Sequence, residues 1–376
     1  MGTRYEVTHY RRAHKEQVLR LLTPLWGGNA ALNRSFFEWK YERNPYIRDP
    51  AICLALHRGE VVGTFGLVGA RWRLGTAGPT QDLPFTDDLV VASAHRRRGL
   101  ASSLIQAVGA YSAELGYPYL LCLRANAITT QISRSAGYRN IGALGPVDLK
   151  RDLRDPLSTV RQRLGGTRFL WRFAHSPQLL MPSDRWPFRI LDRPAVGHGP
   201  RRASRVSIGR TPLPDAMAEL VERLPRDDRI QHVRDREYFE WVFSNPRMEY
   251  RFVYWTRERL EGYLVLHQIL PPRAGAQTWV SDWEGTSDDT RQELLQAAVS
   301  GRFARLMSWT ATVAGSAEAM LSEHGFEETE HEARAQGQPA SLIRPTRDEE
   351  LHHEWALDGR QLMDMNNWKF RPLDQD

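Results

Sequence analysis

The chain has 376 residues, 41% hydrophobic and 26% charged, a formal net charge of +6 and two cysteines. That length exceeds what one compact core usually holds, and the composition is that of a globular protein rather than a disulfide scaffold or a disordered chain. No apolar run approaches the ~18 residues a membrane helix needs, and a charge excess this small favours anionic small ligands such as phosphates without arguing for nucleic acid.

MGTRYEVTHYRR at the N-terminus holds no apolar stretch of signal type, and Glu6 stands where a myristoylation signal wants Ser or Thr, so a cytoplasmic location is expected. YEVTHY reads as a short strand, and HKEQVLRLLTPLW carries apolar residues at helical spacing. FFEWKYERNP (36–45) reads as a helix stopped by Asn-Pro; its aromatics Phe37, Trp39 and Tyr41 cannot all face one side, and Trp39 is read as core. ICLALHRGEVVGTFGLV is strand, short turn, strand, and Asp87–Val91 opens the next strand. YLLCLRAN and SRSAGYR then give a strand, a helix and the pair Gly137-Tyr138.

The same order of parts returns. RVSIGR and DAMAELVERL precede YFEWVFSNP, and RFVYWTRERLEGYLVLH lies on the earlier hairpin without a gap, Gly262 on Gly63. SDWE, RLMSWTAT and Gly325-Phe326 complete the series. An ordered series of this length predicts two copies of one α/β unit, at 1–149 and 204–345. Residues 150–203, where Pro and Gly break short helical pieces rich in Arg, Phe and Trp, read as a basic helical linker and amphipathic strap. Residues 346–376 read as a capping helix or an extended arm. Cys53 and Cys122 lie inside apolar runs, and the histidines lack ligand spacing, so neither a disulfide nor a metal site is expected.

Chemistry concentrates in DDLVVASAHRRRGLASSLIQAVGAYSAELG, Asp87–Gly116. A β-branched strand ending at Val91 runs into a turn with Arg96, Arg97 and Arg98, then Gly99 and a helix with Leu100, Leu104, Ile105 and Val108 at core spacing. First-turn N–H groups without intrahelical partners, the helix dipole and a basic loop make an anion site fit for a pyrophosphate. Ala101, Ser102 and Ser103 are small enough for close approach.

The segment resembles the acyl-CoA signature of the GNAT superfamily of N-acyltransferases, met here by Arg96, Gly99 and Ala101, with Val91 eight residues before Gly99 at the strand end. Asn126, eleven residues before Gly137-Tyr138, matches the Asn that in this family contacts the cofactor arm. The resemblance implies an α/β (α+β) fold: two GNAT-like domains, each a mixed, mostly antiparallel sheet flanked by helices, with acetyl-CoA where two central strands part. It implies cofactor contacts along Leu89, Val90, Val91, Arg96, Arg97, Arg98, Gly99, Leu100, Ala101, Ser102 and Asn126. It also implies direct attack by an amine on the thioester, with a strand N–H near Val90 polarising the carbonyl.

Asp87 or Asp88 would supply the base; strand alternation puts them on opposite faces, and Asp88 is preferred. Ser133 occupies the position where the family often carries a Tyr acid, leaving Tyr41, Tyr138 or a water. The second copy has no matching loop and presents Asp288, Asp289 and Glu293, so one cofactor site is expected. The reading is therefore an acetyl-CoA-dependent N-acetyltransferase with a small amine acceptor, no metal, no membrane, no nucleic-acid partner and room for a homodimer. A non-catalytic acyl-CoA-binding or partner-binding module is the rival.

Overall fold

The computed structural model describes residues 5–144, 146–150, 205–226, 228–270, 277–300, 305–309, 315–328, 340–347 and 355–375; the linker expected at 150–203 lies outside these residues except for Lys150. The first half runs β1 (Tyr5–His9), α1 (Lys15–Trp26), α2 (Ala30–Phe37, continued by a wide π-type turn, Glu38–Glu42), β2 (Ile52–His57), β3 (Glu60–Val68), β4 (Arg71–Leu74), β5 (Thr80–Asp82), β6 (Phe85–Val91), α3 (Leu100–Glu114), β7 (Tyr119–Ala125), α4 (Ala127–Ser135), β8 (Arg139–Ala143) and β9 (Pro146–Lys150). The second runs β10 (Val206–Gly209), α5 (Pro214–Arg223), β11 (Ile230–His232), α6 (Arg236–Val242), β12 (Met248–Thr256), β13 (Leu260–Ile269), β14 (Thr278–Gly285), α7 (Asp288–Ser300), β15 (Arg305–Trp309), α8 (Gly315–Glu323), β16 (Glu327–Glu328) and β17 (Ala340–Pro345). An arm follows with β18 (Ala356–Leu357), β19 (Arg360–Gln361), β20 (Trp368–Lys369) and a 3-10 turn, Pro372–Gln375.

Local chemistry accounts for these boundaries. Asn29, Asn126 and Asp235 each accept a hydrogen bond from a first-turn N–H, capping α2, α4 and α6. α1 buries Val18, Leu19, Leu22 and Trp26 on one face. β2 is buried at four successive residues, Ile52–Ala55, because helices cover both sides of its sheet. Gly63 and Gly262 do hold equivalent places: a Cβ on either would meet Leu104 or Thr290 and Leu294 at 3.0 Å or less, so both glycines let a helix pack directly on the hairpin.

Each half builds a seven-stranded, mostly antiparallel sheet, and each sheet is completed by the other half. The first has the order β1-β2-β3-β6-β7-β17-β8, and the second β10-β12-β13-β14-β15-β9-β16. β17, at the end of the second copy, pairs antiparallel with both β7 and β8; β9, at the end of the first, pairs with β15 and β16. Without the exchanged strand, the facing edges in each sheet would be left unpaired. A four-stranded sheet, β20-β11-β4-β5, joins the two copies to the arm around Trp72, Trp368 and Phe370.

The echoed aromatic phrase lies at the junction. Trp39 and Trp241 stack with ring centroids 4.8 Å apart and planes 5° from parallel. Each indole N–H donates to the other residue's carbonyl, at 2.8 and 3.0 Å. Such reciprocity is the signature of a two-fold relation between similar surfaces, here within one chain.

Candidate functional site

β6 and β7 run parallel but pair only at Phe85–Leu121, and beyond this point they part. On its other side β6 stays paired with β3, Gly63 opposite Val91 and Gly66 opposite Asp87, with a bulge between Thr64 and Gly66. The extra residue is absorbed at Asp88, whose φ of 57° lies in the left-handed region.

The predicted basic loop sits at the open end of this wedge. Arg97 and Gly99 both have positive φ, 59° and 79°. Among the described residues nothing lies within 4 Å of where a Gly99 Cβ would be, so its positive φ is what calls for glycine there. Arg96 Nε donates to the Val91 carbonyl (3.0 Å) and Arg98 to that of Ala94 (3.4 Å); among the described residues none of the three arginines makes an ion pair. The helical ladder of α3 starts with Ser103 N–H donating to Gly99 O (3.0 Å), which leaves the N–H groups of Leu100, Ala101 and Ser102 ahead of it. Exposed arginines, free first-turn donors and exposed Ser102 together fit a polyanionic cofactor arm. Asn126 spends its carboxamide oxygen on capping α4 through Thr129 N–H (2.9 Å).

On the opposite face, towards α1 and α2, lies a cluster that sequence reading only half foresaw. Lys40 Nζ contacts Asp87 at 2.6 Å and Asp88 at 2.9 Å. Tyr41 O–H donates to Asp88 (2.6 Å), as does the indole N–H of Trp26 (2.9 Å). The alternation argument thus fails: both carboxylates reach one ammonium, because the bulge at Asp88 breaks the strand's two-residue period. The Asp88 side chain is 4% exposed and ringed by three donors, whereas that of Asp87 is 51% exposed. Asp88, the expected base, is therefore the sealed carboxylate of the pair, and Asp87 the accessible one.

Burial raises the Asp88 carboxyl, and Lys40 pulls it partly back. For Lys40, burial lowers the ammonium but the two carboxylates outweigh it, so the net direction is upward. Burial and then the charges of Asp88 and Asp87 push the Tyr41 phenol well up.

The predicted residues therefore divide. Leu89, Val90 and Val91 lie on β6 where it has parted from β7, the Arg96–Ser102 loop follows them in the chain, and Tyr41 joins Asp88. Tyr138 does not join them: it is 3% exposed within the core cluster of Leu104, Leu120 and Cys122, its hydroxyl has no well-formed hydrogen bond among the described residues, and burial raises its pKa. Lys40 and Trp26 were missed. The available signal was scarcity, since Lys40 is one of four lysines among 51 basic residues and stands between Trp39 and Tyr41.

The corresponding place in the second copy is built differently. β14 and β15 likewise pair for two residues and then part. Asp282, opposite Val265 as Asp87 is opposite Gly66, is held by Arg234 at 2.9 Å, and Arg234 also holds Glu284 at 2.6 Å. Arg371 and Lys369 from the arm add contacts to the same carboxylates. The cavity remaining there, lined by Lys369–Pro372, measures about 60 Å³, against the ~300 Å³ or more of ordinary ligand pockets. At the N-terminus of α7, Ser287 already accepts from Thr290 N–H and Asp288 pairs with Arg291. A cleft of about 590 Å³ runs along α5 past Arg223 and Arg234, and no residue of the Arg96–Ser102 loop lines it.

A wedge between two parallel strands, a basic loop and a helix N-terminus are the parts of a GNAT-type fold. Residues 16–131 match the model of the Acetyltransferase (GNAT) family. A GCN5-related N-acetyltransferase from Anabaena variabilis ATCC 29413 superposes with a TM-score of 0.57 at 12% identity, covering 92% of this chain and 73% of that one. A protein from Enterococcus faecalis V583, described as a conserved protein of unknown function, Probable N-Acyltransferase, gives 0.59 at 11% identity with the same coverage. At such identities the likeness is one of fold. No curated protein matches the sequence.

Proposed function

We propose that the first copy is a cytoplasmic acetyl-CoA-dependent N-acetyltransferase acting on a primary amine of a small molecule, and that the second copy holds no cofactor. The observation that carries this is the Arg96–Gly99 loop: three exposed arginines without ion-pair partners among the described residues, at the start of α3 and beside strands that part. Acetyl-CoA would supply the activated acyl group; the chain supplies the rest. Arg96, Arg97, Arg98 and the first-turn N–H groups of α3 would hold the pyrophosphate, and an N–H near Val90 would polarise the thioester carbonyl. Asp87, accessible and held by Lys40, would take the proton from the attacking amine, directly or through a water. Tyr41 donates to Asp88 and so positions that carboxylate rather than serving as a free acid.

Calorimetric titration with acetyl-CoA should give one site per chain, and Gly99→Glu, which adds a carboxylate at φ 79°, should abolish it while circular dichroism stays unchanged. Retained affinity in that variant would show that the loop does not hold the cofactor. Ser133 at the usual acid position, together with the burial of Tyr138, favours the second reading, an acyl-CoA-binding module without turnover. Release of free thiol with any amine decides between the two.

A further inference from the structure

The two copies differ in how they balance the carboxylates on their splayed strands. In the second, Asp282 and Glu284 face three cations: Arg234 from within the copy, and Lys369 and Arg371 from the arm. Burial pushes the Glu284 carboxyl up, but Lys369, Arg234 and Arg371 outweigh it and hold the group well below the usual range. The chain's own cationic side chains thus cover this strand where it parts from its neighbour.

In the first copy, one ammonium, Lys40, serves both Asp87 and Asp88. The two remaining donors to Asp88, Tyr41 and Trp26, are neutral. One negative charge is left over. Among the described residues no arm segment pairs with Asp87, whose side chain stays 51% exposed. Aromatic rings border the cluster: Lys40 Nζ lies 5.3 Å from the Phe36 centroid and 5.8 Å from that of Trp26. The nearby Arg247 is engaged by the Trp26 carbonyl (2.5 Å) and the Phe36 face (4.8 Å).

We propose that the acceptor is a net cation when it docks, of the diamine or polyamine class, with an ammonium on Asp87 in the position that the second copy fills at Asp282 with its own Arg371. This rests on the reading of the β6–β7 wedge as the acyl-transfer site. The physical reason is that a carboxylate pair with one counter-ion attracts a cation and repels a second carboxylate. An amine whose remote end is anionic meets the same field with the opposite sign. Asp87 then has two tasks, docking the ammonium and receiving its proton.

The test uses the full chain saturated with CoA and three acceptors of one carbon length: 1,4-diaminobutane, butylamine and 4-aminobutyrate. Affinities are measured by calorimetry at pH 7, with turnover measured separately by thiol release. The expected order is diamine, then monoamine, then amino acid, each step about tenfold. In Asp87→Asn the order should collapse to within about twofold, while the affinity for CoA stays unchanged. A 4-aminobutyrate affinity equal to that of the diamine, or an order that survives in Asp87→Asn, overturns the proposal. If the order holds and no amine is acetylated, the transferase reading fails while the cation site stands; if CoA does not bind, the same titrations on the free chain read the order.

Discussion

Lys40→Met isolates the energetics of the buried cluster. Methionine keeps an unbranched apolar stem in the space that Lys40 occupies but removes the single charge partner shared by two carboxylates. The Asp87 side chain is half exposed, so solvent screens it and its loss counts for little. Asp88, 4% exposed, would be left as a buried charge with Tyr41 and Trp26 as its side-chain donors among the described residues. Breaking one partner out of a buried pair costs about 3–5 kcal/mol.

That cost depends on pH with a definite sign. Asp88 is already raised above its unfolded value by burial, so the native state holds its proton more readily than the unfolded chain. Loss of Lys40 raises it further. A carboxyl of this kind is harmless when protonated, and stability falls as pH rises above the unfolded value of about 4, by about 1.4 kcal/mol per pH unit, until the folded pKa is passed. Urea unfolding should therefore show Lys40→Met close to wild type at pH 4 and fully destabilised near pH 8. In the wild type, the raised Lys40 contributes stability that is present at neutral pH and is lost as pH rises through its folded value, above the usual lysine range. A loss that is already complete at pH 4 and flat thereafter would refute the reasoning, since it would assign Lys40 a packing role alone.

The junction of the copies gives two further expectations. Trp39→Ala removes a fully buried stacked ring and its bond to the Trp241 carbonyl, and should cost about 3–5 kcal/mol in urea unfolding, whereas Trp39→Phe, which keeps a stacked ring, should cost clearly less. Equal losses would mean that the hydrogen bond, not the stack, holds the junction. Because β9 and β17 are exchanged, residues 1–150 and 205–376 expressed apart should be insoluble or unfolded, and co-expression should recover a soluble 1:1 complex. A monodisperse, cooperatively melting 1–150 fragment would show that the exchange is dispensable.

Most of the element order was legible. Strand and helix periods, the Asn-Pro stops and the paired glycines Gly63 and Gly262 are local patterns, and local patterns repeat visibly when a unit is duplicated. The Arg96–Gly99 loop was legible for the same reason: a strand end, a turn with positive φ and a helix start are consecutive in the chain. Its absence from the second copy could be read by laying one copy on the other.

Long-range placement was not legible. β9 and β17 have the same apolar character whichever sheet they join, so only the packed structure decides that each closes its neighbour's sheet. Whether Asp87 or Asp88 is left exposed depends on a one-residue bulge, which cancels the alternation that strand sequences suggest. Lys40 acquires meaning only when α2's extension is laid against β6, 47 and 48 residues away in sequence. The amino-acid sequence by itself determined two copies of one unit and a single arginine-rich loop, because those are matters of neighbouring residues. Tertiary structure alone decided that the copies interlock through exchanged strands and a Trp pair, and that one carboxylate is left half exposed, because those depend on which distant surfaces share the same water-free space.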